Sequence, residues 1–214
     1  MSATTDKRIE TLLDEAEKSG ACCAPEDRAT RAAMRRRPGK IVEPIRGLFF
    51  RADAWEHLEP PERMRHLMRA LTQAHPTWRF QGASAAVAYG LPVTWSLLDS
   101  VSIAASPGSS HQATVGIHRH HISDETVQMH DGLPLVPFWR TVFDCLATFE
   151  LPDALAVADA ALQMGDVSAR GLTSILNDSF SGHRGVKSSR QAAVLADARA
   201  ESGGESIARA TMFQ

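Results

Sequence analysis

Eight basic residues fall between positions 28 and 51, and they are the side chains in this sequence best suited to a definite chemistry. Arg28, Arg31, Arg35, Arg36, Arg37, Lys40, Arg46 and Arg51 share that stretch with a single acid, Glu43. The guanidinium group is a planar fork of donors that pairs in a two-pronged way with phosphate or with the edge of guanine. Arg28, Arg31 and Arg35 are spaced i, i+3, i+7, which sets three such groups on one face of a helix. A run of this kind is often no more than a solvated face, so a basic surface on an ordinary small α/β piece stands beside the DNA-binding reading. A second tempting set is the His118-Arg119-His120-His121 tract. In an extended strand His118 and His120 share a face, with His130 not far along. Zinc, however, wants three or four ligands of fixed geometry, usually with cysteine or acid partners, and none is spaced to join them. The expectation is no metal and no cofactor, with the histidines forming a polar outer face. There is no phosphate-binding loop, no dinucleotide fingerprint and no elbow motif around Ser84.

The elements that must carry these residues follow from periodicity. Thr5 can cap a helix through about Lys18, with Ile9, Leu12, Leu13 and Ala16 on one side and Gly20 as the stop. That segment is acidic: residues 1–27 hold three Lys/Arg against seven Asp/Glu. Pro25 can open the basic helix, and Pro38-Gly39 ends it. KIVEPIRGLFFRA then reads as two short strands around a turn near Arg46-Gly47. Helix, basic helix and hairpin is the order of a winged helix-turn-helix, in which a helix enters the major groove and the hairpin touches the flanking backbone. The sequence therefore predicts Arg28, Arg31 and Arg35 facing the groove, with Arg46 and Arg51 reaching phosphate.

Further along, Pro60-Pro61-Glu62 opens a helix to about Ala74 with Met64, Leu67, Met68 and Leu71 as its apolar stripe, flanked by His66 and His75. Trp78-Arg79-Phe80 suits a short strand, and Ser84 can cap the small helix AAVAYGL. DSVSIAAS and TVGIHRHHI alternate apolar with polar residues and predict two half-buried antiparallel strands joined by PGSSHQA. Asp131-Gly132 is a turn pair before a short or edge strand containing Leu133 and Leu135. From Pro137 the period changes. Trp139, Val142, Phe143 and Leu146 mark a helix with one apolar face, and a second helix from Pro152-Asp153 is apolar almost all round, hence buried. A short helix over Arg170–Asn177 and a last one that follows His183-Arg184-Gly185 and runs through about Ala198 complete the pattern.

Composition bounds the rest. With 214 residues, 43% of them hydrophobic, the chain can bury a real core as one large domain or two small ones. Its net charge of −2 makes it no general polyelectrolyte binder, so the local reversal of sign carries the argument. Three cysteines, Cys22, Cys23 and Cys145, form no disulfide framework and fit a reducing cytoplasm. No signal-like start and no run of membrane length is present, so a cytoplasmic, membrane-free protein is expected.

RGLFFRADAW, WRFQGASAAVAYGLP, IHRHHI and DGLPLVPFWRTVFDCLA…ALAVADAAL together resemble the actinobacterial proteins related to abortive-infection (AbiEi-type) antitoxins. The tail ADARAESGGESIARATMF is similar to the junction in relatives that continue into a very-short-patch-repair-like endonuclease domain. The resemblance covers most of residues 28–213. It implies an α+β fold: a winged-helix-like DNA-binding domain over 1–55, then a helix-rich α/β antitoxin-like domain over 56–198 with a small, mainly antiparallel sheet, then a tail at 199–214. It implies duplex operator DNA as partner, and a nucleotidyltransferase toxin as the protein that true antitoxins oppose. The segment before the basic helix is compressed into GACCAPED. Only Glu201 and Glu205 of a nuclease-like first helix are present, without the strand-borne acids and lysine that hold Mg²⁺. The expectation is thus a non-enzymatic regulator. A catalytically inactive relative of the nuclease proteins and a protein-interaction module remain the alternatives.

Overall fold

Alternation along one short strand divides the interior of the N-terminal region in two. The computed structural model describes residues 3–105, 114–122 and 126–213. In it β1 (Ile41–Ile45) and β2 (Leu48–Arg51) form an antiparallel hairpin around Arg46-Gly47, as the sequence predicts. Successive side chains of a strand point to opposite faces. Phe49 accordingly enters a small core with Ile9, Leu13, Cys23, Ala33 and Met34, while Leu48 and Phe50 enter the main core. Ile9 and Leu13 come from α1 (Ala3–Lys18), and Ala33 and Met34 from α2 (Arg28–Arg35). α2 opens three residues later than Pro25, because Asp27 is the cap and its carboxylate accepts from the Thr30 backbone N–H at 2.7 Å. Cys23 and Phe49 exchange backbone hydrogen bonds, which fixes the connection between α1 and α2 against the hairpin.

After α3 (Ala52–His57) comes α4 (Pro60–Ala74), whose start is set by prolines in the first turn and a reciprocal capping box between Glu59 and Glu62. Its predicted stripe of Met64, Leu67, Met68 and Leu71 is buried. The main core includes Ile45 and Phe50 of the hairpin as well as residues out to Ala193, so packing continues across position 55. No described helix is long and apolar enough to cross a membrane.

The second sheet has five strands in the order β5-β4-β3-β7-β6: β3 (Arg79–Phe80), β4 (Val101–Ala105), β5 (Ile117–His121), β6 (Gln128–His130) and β7 (Leu133–Leu135). It is mixed, which corrects the expectation of a mainly antiparallel sheet. β4 and β5, expected antiparallel, pair in parallel with Val101 opposite Ile117 and Ala105 opposite His121. β3 and β7 are also parallel, whereas β3–β4 and β6–β7 are antiparallel. Period-two alternation specifies faces and is silent on direction. The PGSSHQA connection lies outside the described residues. The turn at Asp131-Gly132 is formed, with both residues at positive φ.

α5 (Gly82–Tyr89) is buried almost throughout. Ser84 does not cap it, since Gln81 holds the cap position. Ser84 lies inside the helix, where its Oγ accepts from Ser102 N at 2.9 Å and donates to the Met64 sulfur at 3.3 Å. α6 (Phe138–Thr148) and α7 (Leu151–Met164) are the paired helices predicted, with eight residues of α7 buried. α8 (Ala169–Phe180) is longer than expected at its C-terminal end, and α9 (Val186–Leu195) shorter. α10 (Gly203–Ala210) is no loose tail. Gly203 packs against Pro92 and Ala156, where a Cβ would stand 3.0 Å from Pro92 Cβ and 3.6 Å from Ala156 Cβ, and Arg209 pairs with the buried Asp159 of α7.

Candidate nucleic-acid interface

The structure divides the eight predicted basic residues into two groups of four. Arg28, Arg31 and Arg35, about one turn apart on α2, join Arg46 of the hairpin turn in lining a cleft of about 1100 Å³. Gly47, at φ +89°, allows that turn to be tight enough to present Arg46. Arg36, Arg37, Lys40 and Arg51 line a separate cleft of about 800 Å³ beside α1.

Their charges are committed to different degrees. Arg51 donates to Glu10, Asp14 and Glu17 of α1 at 2.9, 2.7 and 2.7 Å, and these hydrogen bonds hold its pKa well above the ordinary arginine value. Arg37 pairs with Asp6 of the same helix. The acidic segment read in the sequence is therefore an internal partner of Arg37 and Arg51, whereas Arg36 and Lys40 are exposed and make no ion pair among the described residues. In the larger cleft Arg35 is bound through two prongs to Glu43, and Arg31 donates to the Glu26 carbonyl at 3.2 Å. Arg28 and Arg46 are exposed and make no ion pair among the described residues.

The far wall of this cleft was not legible as a site. α4 ends at Ala74, and the next residues bring the His75 ring onto the Trp78 ring, stacked at 3.8 Å and 11°. Arg119 of β5 lies against the same indole, its guanidinium carbon 4.9 Å from the ring centre. The Arg119 Nε is buried and has no hydrogen-bond partner among the described residues. Partial burial, and then the positive charge of Arg119, hold the His75 imidazole below its ordinary pKa and favour the neutral ring. Arg119 sits inside the histidine tract, where its neighbours drew attention as metal ligands. The usable signal was its odd position in the strand, on the face opposite His118 and His120.

The other candidates have structural explanations. His118, His120 and His121 are exposed on edge strand β5, and no group of three or more His, Cys, Asp or Glu is placed to hold a metal ion among the described residues. Burial first, and then His118, lowers the pKa of His120. His130 packs beside Tyr89 at 5.0 Å. Burial pushes the Cys22 thiol up to about 12 and Cys23 to about 11, the opposite of what a nucleophilic thiolate requires. What remains is a concave basic surface with an aromatic plate, which suits an anion carrying flat rings. No family model matches the chain, and neither curated proteins nor solved structures give a match to it.

Proposed function

We propose that the chain is a non-enzymatic, cytoplasmic DNA-binding regulator that sets α2 and the β1–β2 turn against duplex operator DNA in the manner of a winged helix. The observation that carries this reading is the placement of Arg28, Arg31 and Arg46 along one cleft with no carboxylate partner among the described residues, whereas Arg35, Arg37 and Arg51 nearby are ion-paired. Arg28 and Arg31 supply donors from a helix face, and Arg46 supplies one from the wing. The antitoxin role, with a nucleotidyltransferase toxin as protein partner, rests on the family resemblance. It is tested by co-purification with the product of a neighbouring reading frame.

The DNA reading is tested on the promoter duplex upstream of its own gene across a salt series. Each phosphate neutralised contributes about −0.9 to the slope of log K against log salt. Arg46→Ala should flatten that slope by roughly one unit and weaken all sequences alike. Arg51→Ala should leave it unchanged, because that guanidinium serves α1. A folded Arg28→Ala/Arg31→Ala/Arg46→Ala protein that binds as tightly as the parent sinks the reading.

A further inference from the structure

The larger cleft has two unlike walls, and only one of them is explained by binding the outside of a duplex. Its volume of about 1100 Å³ is slightly above the roughly 300–1,000 Å³ of pockets that enclose a drug-sized ligand. That is room for a few nucleotides. Its lining also includes His75, Trp78 and Arg119, which phosphate contacts alone do not use. Single-stranded nucleic acid is held by a basic groove that follows the backbone together with aromatic rings on which bases stack. Both parts are here. Arg28, Arg31 and Arg46 line one side, and on the other the His75 and Trp78 rings are already parallel at 3.8 Å.

We propose that this far wall is a subsite for an unpaired DNA base, which stacks on the exposed His75 ring while Arg28, Arg31 and Arg46 hold the flanking phosphates. The inference rests on the DNA-binding reading and adds to it the form of DNA the cleft selects. Trp78 is half-buried and backs the imidazole, so the plate is held in place before a base arrives. Arg119, packed on the indole, adds positive charge beneath the stack. Stacking tolerates any base, since each presents a π-face, so the subsite selects for unpairing rather than for sequence.

The test compares three labelled probes by fluorescence anisotropy: a ten-nucleotide single strand, the same strand with abasic positions at its centre, and the paired duplex. The intact strand should bind about 5- to 150-fold more tightly than the abasic one, the range expected for one stacked base. His75→Ala, a change at an exposed position, should remove that difference and leave the abasic strand and the duplex as they were. His75→Phe, which keeps a ring, should restore it. If the abasic and intact strands bind alike, or His75→Ala changes neither, the subsite is overturned while duplex binding keeps the regulator reading alive. If duplex, strand and abasic strand all fail to bind, both readings fall together.

Discussion

Arg35 holds both carboxylate oxygens of Glu43, at 2.7 and 2.5 Å, and one of those oxygens also accepts from the Gly47 backbone N–H at 2.7 Å. The contact ties the end of α2 to β1 and to the hairpin turn, so helix and turn are presented as one surface. It also occupies the third arginine of the predicted recognition face. Glu43→Gln should release Arg35 to phosphate and steepen the salt dependence of duplex binding by about 0.9 in log K per log salt. Arg35, before any other group, holds the Glu43 carboxyl below the ordinary glutamate range. A depressed folded-state pKa means that the pairing is complete above the unfolded value and is lost only as pH falls through the lower one. The effect of the substitution should therefore be constant between pH 6 and 8. An unchanged slope in the variant shows that Arg35 does not reach DNA.

How far the chain could be read in advance differs by level. The hairpin at Arg46-Gly47, the stripe of α4 and the change of period at Pro137 were legible because each is local: a turn pair, a 3.6 repeat, a proline. The partners of the basic residues were not. Glu43 is eight positions from Arg35, but Glu10, Asp14 and Glu17 are far from Arg51, and nothing in an acidic helix announces which arginine it will neutralise. The parallel pairing of β4 with β5 was illegible for a related reason, since direction belongs to the partner strand. Arg119 was visible as a residue but acquires meaning only beside Trp78.

Two glycines near α9 separate strain from crowding. Gly182 and Gly185 both have positive φ, at +82° and +87°. A Cβ at Gly182 meets nothing within 4 Å, whereas one at Gly185 would stand 2.5 Å from Ala147 Cβ and 3.0 Å from the Ala147 carbonyl in α6. Gly182→Ala should cost about 1–2 kcal/mol, the left-handed penalty alone. Gly185→Ala should cost roughly 2–5 kcal/mol, because overpacking adds to it. Urea unfolding of the two variants gives the comparison, and equal losses would remove the packing argument.

The pair between α10 and α7 makes a third expectation. Asp159 is 2% exposed. Its carboxylate accepts from Arg209 and from the Asp197 backbone N–H, the latter at 2.7 Å. Removing one partner of a buried pair leaves an uncompensated charge and costs about 3–5 kcal/mol. Arg209→Met should lose that much in a denaturant titration, and adding Asp159→Asn should return part of it. Full recovery is not expected, since the Asp197 amide then faces a weaker acceptor. If Arg209→Met alone is silent, α10 is held by its apolar contacts.

The central strand of the five-stranded sheet, β3, pairs Phe80 with Leu135 on one side and with Ile103 on the other. On a growing chain this strand emerges long before β7 exists. The β1–β2 pairing, by contrast, joins near neighbours in sequence, and such contacts form quickly, although Ile45, Leu48 and Phe50 complete their packing only in the main core. The turn that presents Arg46 needs only the local β1–β2 pairing, whereas Arg119 is positioned by the pairing of β5 with β4, where it stands opposite Ile103. A nascent chain stalled before β5 would display Arg46 and the His75–Trp78 stack without the Arg119 guanidinium that packs on the indole.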